Sequence, residues 1–340
     1  GFNAMTAERI EPVRATGAIA EVSSRLEKGP AFGRRTVDSS NSNDWPTYRG
    51  NAQRSGVASC AVSPALNKKW QVPLGGRITA PTVADGKVFV ANTDTHTLAA
   101  LDASTGDNRW SFMTEARIDS PPTIHNGSAL VGSHDGYVYS LQTDDGALAW
   151  RFRGARDAHR VVSHGQLESA WPIHGSILVD ENVAGFTAGR SSYLDGGIDL
   201  FRIDPSSGEL LSSTGLFDSN PENQLEQGEY DGNKMPGSRS DILVADAEHI
   251  YLRDQAFSKQ GEKLPDRVPH LFTLTDFLDD SWTHRSFWMF AAESSISTGS
   301  SGRDKKLVYG RLLVYDGETV HGYGRKDVHW SNQFLDAPYH

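Results

Sequence analysis

The sequence predicts an all-β fold: a β-propeller of four-stranded antiparallel blades, six to eight in a full ring, a ring that this chain need not complete alone. Three observations carry that expectation. Trp70, Trp110 and Trp150 recur at a 40-residue interval, each interval divides into short apolar runs of strand length, and 33 glycines punctuate those runs together with Asp, Asn and Ser. The same offset relates Ile78 to Ile118, Pro81 to Pro121, Leu101 to Leu141 and Gly106 to Gly146. A period of about 40 residues is the size of one propeller blade. A sheet that small has two open edges and two faces to bury, and radial stacking around an axis covers them.

Taken in order, residues 1–43 carry no sign of the repeat and end in the polar run TVDSSNSND, so they are expected to form an N-terminal extension packed on a propeller of residues 44–340. Blade-like units are expected over 44–76, 77–116, 117–170, 171–218, 219–268 and 269–340. Within the clearest period four strands are predicted, ITAPTV, KVFVA, TLAALD and NRWSFM, separated by the turn strings ADG, NTDTH and ASTG. In the next period HDG (His134 to Gly136) reads as a hairpin turn, and the sequon Asn126-Gly127-Ser128 also falls at a turn. After Trp150 the offset grows from 40 to 62 residues, from Gln142 to Asp204 and from Gly146 to Gly208. Insertions in repeat proteins map to loops, commonly on the functional face, which directs attention to Arg156–Trp171 and Arg190–Gly197. The acidic, polar stretch Asp218–Asp241 reads as a long solvated loop.

Composition removes several functions. Lys and Arg number 33 against 43 Asp and Glu, a net charge of −10, which is the wrong sign for a nucleic-acid or anionic-membrane partner. No apolar stretch approaches the roughly 18 residues of a transmembrane helix. A single cysteine, Cys60, rules out an internal disulfide and any CxxC zinc or CxxCH haem site. No P-loop, GxGxxG, GxSxG or HExxH string is present, and the acidic pairs lack the ligand spacing of a calcium loop.

The string ALDASTGDNRW (Ala100 to Trp110) resembles the tryptophan-docking pattern AxDxxTGxxxW of PQQ-like, quinoprotein-type β-propellers, matching at Ala100, Asp102, Thr105, Gly106 and Trp110. A second copy, SLQTDDGALAW, keeps only Gly146 and Trp150; a third, IDLFRIDPSSGELLSS, keeps Asp204 and Gly208 without the tryptophan. Further strings resemble the secreted or periplasmic PQQ-like repeat proteins of planctomycetes and related bacteria: DWPTYRGNAQRSG (Asp44 to Gly56), QLESAWPIHGSILV, AGRSSYLDGG, FLDDSWTHRSFWMF and GRLLVYDGETVHGYGRK. Such proteins are usually longer at both ends. The resemblance implies a periplasmic or extracellular protein whose export signal is not in this segment, and it implies indoles that lie flat between neighbouring sheets.

Candidate chemistry concentrates in three places. The insert RDAHRVVSHGQLESAWPIHG contributes Arg160, His164, Gln166, Glu168, Trp171 and His174; the Gly-flanked turn AGRSSYLDGG contributes Arg190, Tyr193 and Asp195; LDDSWTHRSFWMF contributes Asp280, Trp282, His284 and Arg285. Histidine exchanges protons near neutral pH, arginine grips carboxylate or sulfate as a fork, and tryptophan offers a stacking face to a sugar. The leading expectation is an extracytoplasmic propeller that binds a carbohydrate or similar polar ligand at its funnel face, possible catalysis of polysaccharide cleavage resting on His164, His174, Tyr193 and His284. The bland alternative makes Arg160–Glu168 a structural ion pair, His174 a loop cap and Trp288 a packing residue. A second functional expectation, implied by the resemblance, is a protein-interaction scaffold like the assembly lipoprotein of this fold, with other polypeptides completing or docking on the ring. A PQQ-dependent dehydrogenase with calcium ranks third: no cofactor is predicted, because the adjacent cysteines often found in such enzymes are impossible here and no calcium constellation aligns.

Overall fold

A computed structural model describes residues 25–34, 41–163, 165–192, 195–217, 240–265, 268–273, 288–292, 308–310 and 312–323; Asp218–Asp241 therefore lies almost wholly outside the described residues. A short strand β1 (Leu26–Lys28) precedes the first sheet, which contains β2 (Thr82–Ala84), β3 (Lys87–Asn92), β4 (Thr97–Asp102) and β5 (Asn108–Met113). The predicted strands KVFVA, TLAALD and NRWSFM fall on the last three. The second sheet is β6 (Thr123–His125), β7 (Ser128–Gly132), β8 (Tyr137–Gln142) and β9 (Leu148–Arg153), with β1 added on the β9 edge. A two-stranded hairpin, β10 (Arg160–Ser163) and β11 (Gln166–Ser169), fills the expected insertion. The third sheet is β12 (Ile173–Asp180), β13 (Val183–Ala188), β14 (Ile198–Ile203) and β15 (Leu210–Leu216). Beyond it lie β16 (Leu243–Ala245), β17 (His249–Leu252) and β18 (Gln255–Ser258), then β19 (His270–Thr273), β20 (Trp288–Ala291) and β21 (Val308–Gly310), and finally the pair β22 (Leu312–Tyr315) and β23 (Val320–Tyr323).

Among the described residues all pairings are antiparallel, and apart from β1, which joins the β9 edge, each strand pairs with its neighbour in sequence. The first strand of each sheet touches the first strand of the next, from β2 to β6, β12, β16 and β19. That succession places first strands around an axis and last strands outside: the chain folds as a β-propeller. Apolar side chains fill the space between neighbouring sheets, as with Leu98, Trp110, Ile124 and Tyr139 between the first and second, and Trp150, Phe152, Phe186 and Phe201 between the second and third. Trp110 donates its indole N–H to the Thr143 carbonyl at 2.8 Å, and Trp70 donates to the Ala103 carbonyl at 3.1 Å.

One unit departs from expectation. Residues 44–76 form no sheet of their own; Trp45 makes an isolated bridge to Val83, and the following chain runs across the axis. Ile124 donates to the Pro46 carbonyl, Ala245 to that of Ala52 and Tyr315 to that of Ser55, so one segment ties four sheets together. Its buried residues Thr47, Arg54 and Ser55 are polar and do not alternate with period two, which is why a strand does not form there. Arg54 is fully buried, donating to Thr47 Oγ1 at 2.6 Å, the Tyr48 carbonyl at 3.1 Å, the Leu243 carbonyl at 3.2 Å and the Ser176 carbonyl at 3.2 Å. Burial lowers its guanidinium to about 10.

Candidate functional site

Turns at one end of the ring join the second strand of each sheet to the third, and at that same end the chain passes from one sheet to the next. Both connections of the second sheet bring polar groups inward. Arg117 and Asp119 lie on the link before β6, His134 on the turn between β7 and β8, Glu168 on β11, and His174 on β12; all but His174 are at least nine-tenths buried.

Asp119 Oδ2 sits 2.6 Å from His134 Nε2 and 3.0 Å from His174 Nδ1. The two imidazoles meet edge to face, their centroids 4.3 Å apart. On its other side His134 Nδ1 lies 3.1 Å from Glu168 Oε2, while Arg117 Nε stands 2.6 Å from Glu168 Oε1 and Arg190 Nη2 3.0 Å from Glu168 Oε2. Arg117 Nε is also 3.1 Å from His134 Nδ1. Burial by itself would raise Asp119, but the charges and hydrogen bonds of His134 and His174 hold it far below the carboxylate range. Burial would likewise push His134 down; Asp119 and Glu168 outweigh it and hold it above its ordinary value. Glu168, which burial alone would raise, is brought down to about 2 by its hydrogen bond to His134 and by the charges of His134, Arg117 and Arg190.

Of the residues singled out from sequence, the fold brings Glu168, His174 and Arg190 into this one cluster. Gln166 bonds His96 across to the first sheet at 3.2 Å. Arg160 pairs with Glu115 at 2.7 Å rather than with Glu168, because on the β10–β11 hairpin Glu168 stands opposite Val161 and turns inward to the arginines. Trp171 is no open stacking face: it is 8% exposed and donates its indole N–H to the Asp195 carbonyl at 2.7 Å, so Asp195 takes part through its backbone. Trp288 is buried against Tyr48, with the Arg49 guanidinium 4.3 Å above its ring. His164, Tyr193, Asp280, Trp282, His284 and Arg285 lie outside the described residues.

Asp119 and His134 were not among the candidates. HDG does form a turn, yet its histidine points into the protein. The available signal was departure from the repeat: at the 40-residue offset Thr79 becomes Asp119 and Asp94 becomes His134, while Arg77 stays as Arg117. In the first sheet Arg77 simply pairs with Asp94 at 2.9 Å, largely in solvent; the substituted copy converts a surface pair into an interior network.

Residues 56–245 match the family model PQQ_2, described as outer membrane protein assembly factor BamB. The chain is 30% identical over 89 residues to the outer membrane protein assembly factor BamB of Moranella endobia, covering 25% of this chain and 23% of that protein. It is 30% identical over 138 residues to the quinohemoprotein alcohol dehydrogenase ADH-IIG of Pseudomonas putida, covering 37% of this chain and 19% of that protein. Among solved structures, BamB from Moraxella catarrhalis aligns over 62% of this chain and 69% of its own at 16% identity and a TM-score of 0.35. The matches to the BamB proteins of Moranella endobia and Yersinia pestis span about a quarter of those proteins' length, 23% and 26%. On the match over residues 56–245, the chain belongs to the PQQ_2 family, the family described as outer membrane protein assembly factor BamB.

Proposed function

We propose that this chain is an extracytoplasmic propeller acting as a protein-interaction scaffold in assembly, and that it receives a polypeptide partner on the β10–β11 hairpin. The hairpin carries the reading. Val162 and Leu167 stand directly opposite each other in its register, 79% and 51% exposed, and among the described residues the hairpin pairs with no third strand. Opposed residues of an antiparallel pair share a face, so the two make one apolar patch on a ribbon with open edges, the form in which an extended segment is added. Membership of a family described as an outer membrane protein assembly factor supports the same reading. We also propose that the indole contacts between sheets are the family's tryptophan-docking contacts.

Carbohydrate binding finds less support at these residues, since Trp171 is covered and Glu168 is occupied by two arginines. A quinone cofactor would bring carboxylates and a planar ring; the arginines facing this cluster are taken up by Glu168 and its indole is covered, so the described cluster does not fit it.

The test is binding of a urea-unfolded outer-membrane β-barrel polypeptide, diluted from denaturant, to the native chain and to a Val162→Glu/Leu167→Glu variant. Loss of two aliphatic contacts worth about 1.5–3 kcal/mol each when fully buried should weaken binding at least about tenfold. Equal binding by both proteins, or a glycan ligand in place of the polypeptide, would overturn the reading.

A further inference from the structure

Between the second and third sheets, two imidazole nitrogens and a carboxylate oxygen converge on one point. We propose that Asp119, His134 and His174 bind a divalent transition-metal cation of the zinc and cobalt class, with Glu168 as the group that orients His134. Asp119 Oδ2, His134 Nε2 and His174 Nδ1 all lie within 4.8 Å of one another. Bonds of about 2.0–2.2 Å in tetrahedral geometry place ligand atoms about 3.4 Å apart, so a shift of under about 1 Å by Asp119 and His134 opens the centre. Nitrogen and mixed N,O donors suit this class of ion, whereas calcium and magnesium take oxygen.

Two independent features point the same way. His134 has its Nδ1 3.1 Å from the Glu168 carboxylate, so that with a cation bound in place of the Nε2 proton the ring can keep its Nδ1–H toward Glu168 and give its Nε2 lone pair to the ion, the carboxylate–histidine–metal relay. Glu168 is itself held by Arg117 and Arg190, so the ring has little freedom to turn. Secondly, Asp119 Oδ1 is buried and has no hydrogen-bond partner among the described residues, an orphaned acceptor of the kind a cation satisfies. The His174 side chain is 12% exposed and gives the ion access from solvent.

The three ligands come from the link before β6, the β7–β8 turn and the start of β12. A bound ion therefore staples the second sheet to the third. Three protein ligands leave a further coordination position for water or for a donor atom of a partner.

The experiment is equilibrium dialysis of the full chain, stripped with a chelator, against Zn²⁺ and Co²⁺, with the visible spectrum and X-ray absorption of the Co²⁺ form. The native protein should retain one equivalent, show d–d bands, and give a shell with two imidazoles. His174→Ala, at a partly exposed position and with folding checked by circular dichroism, should lose the bands and the retained ion. Glu168→Gln should weaken affinity about 10–100-fold while keeping the stoichiometry. His159→Ala, at an exposed histidine outside the cluster, should leave both unchanged. No retained equivalent in the folded native chain, or an unaltered spectrum and stoichiometry in His174→Ala, would overturn the site.

Discussion

The indole of Trp110 lies across Gly146 so closely that a β-carbon on that glycine would stand 2.6 Å from the indole Cε3. The relationship repeats around the ring: Trp70 lies over Gly106 with a corresponding gap of 2.8 Å, and Trp150 over Gly208, also at 2.8 Å. All three glycines have positive φ, in a turn that carries the next sheet against the preceding indole. Glycine is needed at these positions twice over, for the backbone conformation and for the space.

Gly146→Ala should accordingly destabilise the protein by about 2–4 kcal/mol, combining left-handed strain with overpacking. Gly86→Ala has a similar φ of 69° but nothing within 4 Å of the added carbon, so it should cost only about 1 kcal/mol. Urea denaturation of the two variants separates steric contact from backbone strain.

Arg54→Leu should destabilise by about 2–4 kcal/mol. The substitution takes the Arg54 donor from the buried carbonyls of Leu243 and Ser176, while the Thr47 hydroxyl keeps its bond to Thr123, and removal of a costly buried charge offsets only part of that. Because these acceptors lie on the axis-crossing segment and on β12 and β16, hydrogen exchange should rise at first strands of several sheets together.

The repeat was legible because Trp70 and Trp110 report a constraint local to each period, a glycine and a carbonyl at fixed distances along the chain; Trp150 keeps the packing against a glycine, Gly208, but beyond the insertion, and its indole N–H has no partner among the described residues. The axis segment was not, since Arg54 finds two of its acceptors on β12 and β16, more than 100 residues away, and nothing near Thr47 and Ser55 signals that they are buried. The cluster was half legible. His174, Glu168 and Arg190 stood out as polar residues in an insertion, whereas Asp119 and His134 sit inside ordinary strand-and-turn strings and become partners only when the second and third sheets meet. Trp171 misled for a related reason, since chemical type does not reveal which face of an indole the fold will cover.

Acid sensitivity should come in part from turn aspartates. Asp204 Oδ1 accepts the backbone N–H groups of Ser206 at 2.7 Å and Ser207 at 3.0 Å, and Asp102 makes the same turn with Ser104 and Thr105. Partial burial raises Asp204, but the hydrogen bonds from Ser206 and Ser207 outweigh it and leave the carboxyl below its usual 3.8. The unfolded chain thus binds the proton more tightly, so the stabilisation is full above the unfolded value and is lost as pH falls through the folded one. Asp204→Asn keeps the acceptor without the charge. Denaturation curves from about pH 5 downward should show a shallower loss of stability in the variant than in the native chain; parallel curves would contradict this assignment.

The most direct measurement of polypeptide reception is photo-cross-linking from the hairpin. A photoreactive residue at Val162, compared with one at Leu211 on β15, which is 53% exposed, would be irradiated with the unfolded β-barrel polypeptide present. A covalent adduct from position 162 and none from position 211 is the expected result. Equal adducts from both, or none from 162 while the polypeptide remains bound, would contradict it.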